Sequence, residues 1–138
     1  MQFIPGVMGW PILRPENYPG FWDQLSLTCA RAASFGQRLK VNVFADMQRI
    51  STDLGYQREM LAEANRVLAS HTNVRGRLGN EWENNGFDPR QFTKPAGPTI
   101  WSRGTTGVDR PPPTPSWDLI EYERARVYAR HLNASDLF

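Results

Sequence analysis

The chain has 138 residues, a formal net charge of +2 and a single cysteine, Cys29. This length limits it to one domain, the small charge does not by itself indicate a nucleic-acid partner, and one cysteine excludes an internal disulfide. One cysteine and two histidines are too few soft ligands for a structural zinc site, so we expect no metal and no other cofactor.

Residues 1–19 form the first segment, which four prolines interrupt. Proline fixes φ and favours an extended conformation in the residue before it, so this segment is predicted to be an extended N-terminal arm. Large apolar side chains such as Phe3 and Trp10 would not stay in solvent. The arm therefore packs either on the same chain or on a neighbouring subunit, and the sequence leaves both alternatives open.

Residues 20–75 contain no proline and carry a long apolar stripe. Its positions recur in steps of three and four with an average of about 3.6 residues, the α-helical period. This period predicts one long amphipathic helix over about 20–72, or a helical hairpin broken near 51–55, where Ser51, Thr52 and Asp53 are possible N-caps. The stripe is too long to be covered by this chain alone, which predicts a helical seam with other subunits formed by Leu25, Leu39, Val43, Met47, Ile50, Leu54, Leu61 and Leu68.

Turn signals dominate residues 76–115, beginning with Gly76 and Gly79, which we interpret as the end of the helix. Asn85-Gly86, Asp88-Pro89 and the later prolines are too dense for a regular element. The segment is predicted to be a second extended arm. Aromatic side chains recur through both arms and beside them, and six residues are predicted interface anchors: Phe3, Trp10, Trp82, Phe92, Trp101 and Trp117.

Residues 116–138 close the chain with a predicted helix over about 116–132 and a short tail. Thr114 or Ser116 would cap it, and Pro115 lies near its first position. Arg124, Arg126 and Arg130 on this helix are candidate phosphate contacts, although nearby acidic residues also favour salt bridges at the surface. The fold class predicted from all segments is mainly α, with extended arms and no compact self-contained globule.

No catalytic motif is present in the sequence. It contains no glycine-rich phosphate loop, no nucleophile elbow and no metal-ligand spacing. His71 lies at a predicted helix end, where a histidine commonly complements the helix dipole. The carboxylate pair Glu81 and Glu83 has i,i+2 spacing, which does not bring an acid and a base together. We therefore expect a protein that is not an enzyme.

The function favoured by this pattern is a structural subunit of a large symmetric assembly. The specific hypothesis is a virion component of a tailed bacteriophage, at the head–tail junction, in the tail or in an internal ejection layer, made in the host cytoplasm. This hypothesis rests on architecture alone. The alternatives are an accessory subunit of a cytoplasmic or organellar complex and a small arginine-rich nucleic-acid-binding protein. Expected partners are other protein subunits, both copies of itself and different chains, with nucleic acid less favoured. No apolar run is long enough for a transmembrane segment.

Overall fold

The computed structural model describes residues 2–3, 14–79, 82, 85–104 and 117–119. Within them, four strands form one parallel sheet: β1 (Gln2–Phe3), β2 (Leu39–Phe44), β3 (Val74–Gly79) and β4 (Ile100–Gly104). The described helices are α1 (Phe21–Ser34), α2 (Met47–Ile50) and α3 (Leu54–Leu68), with 3₁₀ turns at Pro15–Asn17 and Pro89–Gln91. The chain is therefore an α/β protein.

The prediction of a mainly α protein with one long helix was wrong. The segment 20–72 contains α1, β2, α2 and α3 rather than a single helix or a hairpin of two helices. Helix α1 ends in a Schellman motif, in which Gly36 has φ +69° and the Gln37 N–H donates to the Ala32 carbonyl at 2.9 Å. The sequence did not predict β2, the strand that follows, because Leu39 and Val43 are four residues apart, a spacing that fits both a helix and a strand.

The break predicted near residues 51–55 exists, but it separates α2 from α3. Asp53 is the N-cap of α3, and its Oδ1 accepts a hydrogen bond from the Tyr56 N–H at 2.7 Å. The helix before the break has only four residues and follows a strand. A helical hairpin is therefore excluded together with the continuous helix.

Helices α1 and α3 pack against each other and against the same face of the sheet. Trp101 of β4 is completely buried on this face, and its Nε1 donates to Asn65 Oδ1 of α3 at 3.0 Å. Residues from β2, α1 and α3 line one small common space: Val41, Asn42, Val43, Trp22, Leu25, Met60 and Ala64. This layer is the hydrophobic core of the chain.

The strands lie in chain order, so each new strand is added at the same edge of the sheet. Leu119 continues this order, because it forms a parallel bridge with Ser102 and its N–H donates to the Trp101 carbonyl at 3.2 Å. Doubly wound sheets reverse their strand order at a switch point. Chain-ordered parallel strands with helices on one face occur instead in (β/α) barrels and in leucine-rich horseshoes.

The two predicted arms contribute to the sheet where they are described. Gln2 and Phe3 pair with Lys40 and Val41, and the segment 76–115 contains most of β3 and all of β4. The predicted helix over 116–132 lies outside the described residues except at 117–119. Among the helices that the structure describes, none combines the length and apolarity required to cross a membrane, in agreement with the prediction of no transmembrane segment.

Candidate functional site

The sheet face opposite the helices carries a row of three polar side chains. Asn42, Arg77 and Ser102 are register partners on β2, β3 and β4, so neighbouring members lie about 4.8 Å apart at the same level. Val41 and Trp101 face α3, and side chains alternate along a strand, so this row points away from the helices. We call Asn42, Arg77 and Ser102 the polar row. Their exposed fractions are 1%, 5% and 0%.

The side chain of Asn42 satisfies only part of its hydrogen-bonding capacity. Its Nδ2 donates to the Phe44 carbonyl at 3.1 Å, whereas its Oδ1 is buried without a hydrogen-bond partner. A buried acceptor left unsatisfied costs about 1–3 kcal/mol. Such a group in a folded protein calls for a specific explanation, such as a bound water or ligand.

Just beyond the sheet, Asn85 connects the loop that follows β3 to the loop that follows β2 through hydrogen bonds. Its Oδ1 accepts from the Asp46 N–H at 3.1 Å, and its carbonyl accepts from the Met47 N–H at 2.7 Å. Asp46 has φ 52°, the left-handed region that non-glycine residues rarely adopt. Strained backbone of this kind concentrates at functional sites. The loop that follows β2 is therefore held in an unusual conformation by a residue that follows β3.

A side chain of α3 also connects the loops that follow β2 and β3. Gln57 of α3 is 3% exposed, and its Nε2 donates to the carbonyls of Ser51 at 2.9 Å and Gly86 at 3.3 Å. Gly86 has φ +73°, and a Cβ there would lie 2.6 Å from the backbone nitrogen of Gln48. Only glycine permits this close approach. The loops that follow β2 and β3 are thus connected to each other by hydrogen bonds and close packing at the carboxyl edge of the sheet.

The charges at this edge are partly paired. Asp46 Oδ2 lies 3.3 Å from Arg49 Nε, with side-chain exposures of 33% and 72%. Arg77 adds a buried guanidinium on the sheet face. In the part of the chain that the structure describes, no group of three or more His, Cys, Asp or Glu residues is placed to hold a metal ion. The polar row and this edge together place an amide, a guanidinium, a hydroxyl and a carboxylate in one region of the fold.

His71 lies at the other edge of the sheet, between the end of α3 and the start of β3. Its Nε2 is 3.0 Å from Ser26 Oγ of α1. This position agrees with the interpretation of His71 as a satisfied histidine at a helix end.

The residues predicted to form a helical seam are distributed over four elements. Leu25 lies in α1, Leu39 and Val43 in β2, Met47 and Ile50 in α2, and the remaining three in α3. All except the partly buried Leu54 belong to the core cluster of the chain. They therefore do not form one stripe on one helix, and a role in contacts between subunits stays a prediction.

The predicted arm anchors are buried to different degrees. Trp101 and Phe92 are in the core at 0% and 6% exposure, and Trp82 and Trp117 are partly buried against it. For Phe3 the structure describes only its backbone pairing in β1. The other predicted site residues lie outside the described part of the chain: Trp10, Arg124, Arg126 and Arg130.

Sequence reasoning missed the polar row and the residues that join the loops. The available signal was the segment Leu39–Phe44, where β-branched Val41 and Val43 alternate with polar residues before a loop that contains Asp46. No protein-family model, no curated protein and no solved structure matches this chain. The functional argument therefore rests on the geometry of the site.

Proposed function

We propose that the protein binds a small polar molecule at the carboxyl edge of its parallel sheet, with the polar row as the floor of the site. The observation that carries this proposal is the buried, unpartnered Oδ1 of Asn42. In α/β proteins with parallel strands, ligands bind at the carboxyl ends of the strands. Asn42 lies two residues before the end of β2, close to that edge.

The ligand class follows from the groups in the polar row. Asn42 Oδ1 is an acceptor, so the ligand presents a hydroxyl or an amide N–H to it. A polyhydroxylated compound or a small amide meets this requirement. No chemical step is part of this proposal, and the expectation that the protein is not an enzyme stays a prediction.

The experiment compares two Asn→Leu variants, one on the sheet at Asn42 and one on helix α3 at Asn65. Asn42→Leu removes the unpartnered acceptor, whereas Asn65→Leu removes the residue that accepts from Trp101 Nε1 and donates to the Ala96 carbonyl. A thermal-shift screen of sugars, polyols, small amides and carboxylic acids on the wild-type chain would identify a binder, whose affinity calorimetry would measure for each variant.

We expect Asn42→Leu to weaken binding at least about tenfold, the effect of losing one well-formed hydrogen bond of about 1.4 kcal/mol. Asn65→Leu should lower the free energy of unfolding by about 1–3 kcal/mol because the buried Trp101 Nε1 loses its acceptor, with little change in affinity. Equal affinity in wild type and Asn42→Leu would contradict the proposal, as would a panel without any binder.

A second candidate function is the structural subunit of an assembly that the sequence pattern favoured. The prediction of one long helix was wrong and so does not support this function, but the exposed surface of α1 does. Leu27 of α1 is 60% exposed and Phe35, which follows the helix, is 69% exposed, and their i,i+8 spacing fits one side of the helix. Contiguous exposed apolar surface marks protein–protein contacts, and we propose that these two side chains belong to such a surface.

The test of this second candidate is the size of the native particle. Light scattering on the wild-type chain and on a Leu27→Glu/Phe35→Glu variant should show an oligomer for the first and a smaller species for the second. A wild-type chain that is monomeric at every concentration would contradict self-assembly. The phage-virion hypothesis and the virion location stay proposals on the same basis.

A further inference from the structure

A groove of about 500 Å³ opens between the first turn of α1 and one side of α3. The 3₁₀ turn at Pro15–Asn17 and the residues that lead into α1 form its rim. This groove is distinct from the proposed site on the sheet, because its walls come from the helices. We call it the interhelical groove.

Aromatic side chains line a large part of the interhelical groove. They are Tyr18, Phe21, Trp22 and Tyr56. Tyr18 is 43% exposed, and the rings of Phe21 and Trp22 meet edge to face with centroids 5.0 Å apart. Aromatic faces attract cations through the negative charge above the ring.

Carboxylates supply the second part of the lining: Glu16, Asp23, Glu59 and Glu63. Arg66 neutralises Glu63 through contacts of 2.5 to 3.0 Å, and Arg14 lies 3.8 Å from Glu16. Asp23 lies in the first turn of α1, where it complements the positive end of the helix dipole. Among the residues that the structure describes, Glu59 has no ion-pair partner. The groove therefore keeps a negative charge next to aromatic surface.

The rim of the groove already shows how it accommodates a guanidinium. The Arg14 guanidinium carbon lies 5.3 Å from the centroid of the Tyr56 ring. The same side chain donates to the Ile50 carbonyl through Nε at 3.1 Å and Nη2 at 2.9 Å. Tyr56 in turn donates its hydroxyl to Glu16 at 3.0 Å. An aromatic ring that stacks on a guanidinium, a carboxylate and a carbonyl acceptor thus occur together at the rim of the interhelical groove.

We propose that the interhelical groove docks an arginine-bearing segment of a protein partner. The guanidinium of that segment stacks on the exposed ring of Tyr18, beside the partly buried Trp22, and pairs with Asp23 and Glu59. Arginine fits better than lysine because its planar, weakly hydrated head group both stacks and forms two parallel hydrogen bonds to a carboxylate. The proposal does not depend on the ligand site at the sheet.

The experiment measures fluorescence anisotropy of a labelled Gly-Arg-Gly-Arg-Gly peptide titrated with the full chain. Matched peptides carry citrulline, which keeps the shape and loses the charge, or lysine, which keeps the charge and loses the plane. The variants are Asp23→Asn/Glu59→Gln, Tyr18→Ala, and Asp88→Asn as a control that removes a carboxylate outside the groove, where Asp88 pairs with Arg90.

We expect the double variant to weaken binding of the arginine peptide by about fivefold or more and Tyr18→Ala by about two- to fivefold, in line with exposed ion pairs and cation–π contacts. Asp88→Asn and Asn42→Leu should leave it within about twofold, and the citrulline peptide should bind least. Equal binding of arginine and citrulline peptides would overturn the proposal. An equal effect of Asp88→Asn would overturn it too, since it would reveal nonspecific charge attraction, and so would no binding at all.

A second copy of this arginine-rich chain is one possible partner, with fourteen arginines in its sequence. If the wild-type chain self-associates and the Asp23→Asn/Glu59→Gln variant does not, the partner segment belongs to a second copy, which supports the proposal. If self-association is unchanged in the double variant although its binding of the arginine peptide is weakened, the partner segment belongs to a different protein, which also supports the proposal.

Discussion

Gly76 occupies a position in the middle of β3 where no larger side chain fits. It pairs with Val41 on one side and Trp101 on the other. A Cβ at this position would overlap the Trp101 ring, with Cδ2 only 2.6 Å away. The ring is fully buried, and its Nε1 is held by Asn65. Gly76→Ala therefore forces the indole out of its place in the core.

The cost of Gly76→Ala has two parts. Overpacking a well-packed core by one methyl group costs about 1–3 kcal/mol. Displacing the indole also weakens its hydrogen bond to Asn65, which adds about 1 kcal/mol. The sum, about 2–4 kcal/mol, is a large part of the 5–15 kcal/mol by which a domain is typically stable.

Urea unfolding followed by circular dichroism would measure this loss. Gly55→Ala is the matched control, since Gly55 lies exposed in the first turn of α3 and the same change there should alter stability by no more than about 1 kcal/mol. Trp101→Phe in the Gly76→Ala background should recover part of the loss because the smaller ring leaves room for the methyl group. Wild-type stability of Gly76→Ala, or no recovery in the double variant, would refute the packing of Trp101 over Gly76.

Three further outcomes can be measured in the same way. Asp53→Ala should lower the free energy of unfolding by about 0.5–2 kcal/mol because α3 loses its cap, while the exposed Thr52→Ala should change little; equal effects would contradict the cap. Leu61→Ala should cost about 2–5 kcal/mol of folding stability because Leu61 is 5% exposed in the core, and an unchanged urea midpoint would contradict its burial. Burial, together with the hydrogen bond to Glu16, raises the pKa of Tyr56 to about 12. The folded state then favours the protonated phenol, so stability should fall between about pH 10 and pH 12, and Tyr56→Phe should reduce that fall in pH-dependent melts.

Local sequence signals were sufficient for some features of this protein. The helical period over Phe21–Ser34 and Leu54–Leu68 corresponds to α1 and α3, and Asp53 caps the second helix. Apart from the partly buried Leu54, the apolar residues of the predicted seam also belong to the core cluster. Such features depend on residues within one or two turns of each other, so the sequence carries them without tertiary information.

Tertiary contacts decided the class of the fold. A six-residue segment with Leu39 and Val43 four apart satisfies both periods, and only pairing with β3, more than thirty residues later, makes it a strand. Gly76 and Gly79 were interpreted as the end of a helix because glycine is common there. In the structure they allow the close approach of Trp101 and Phe87, which are not their neighbours in the sequence.

The candidate sites likewise could not be predicted from neighbouring residues. Asn42, Arg77 and Ser102 are separated by 35 and 25 positions and become one row only through the register of three parallel strands. The interhelical groove joins residues around Tyr18 with Glu59 of α3. Local spacing showed which side chains are apolar, but its helical period continued through β2 and therefore predicted one long helix or a hairpin where the structure has α1, β2, α2 and α3. Strand pairing and helix packing alone decided which polar groups meet, because those contacts depend on long-range register and not on local spacing.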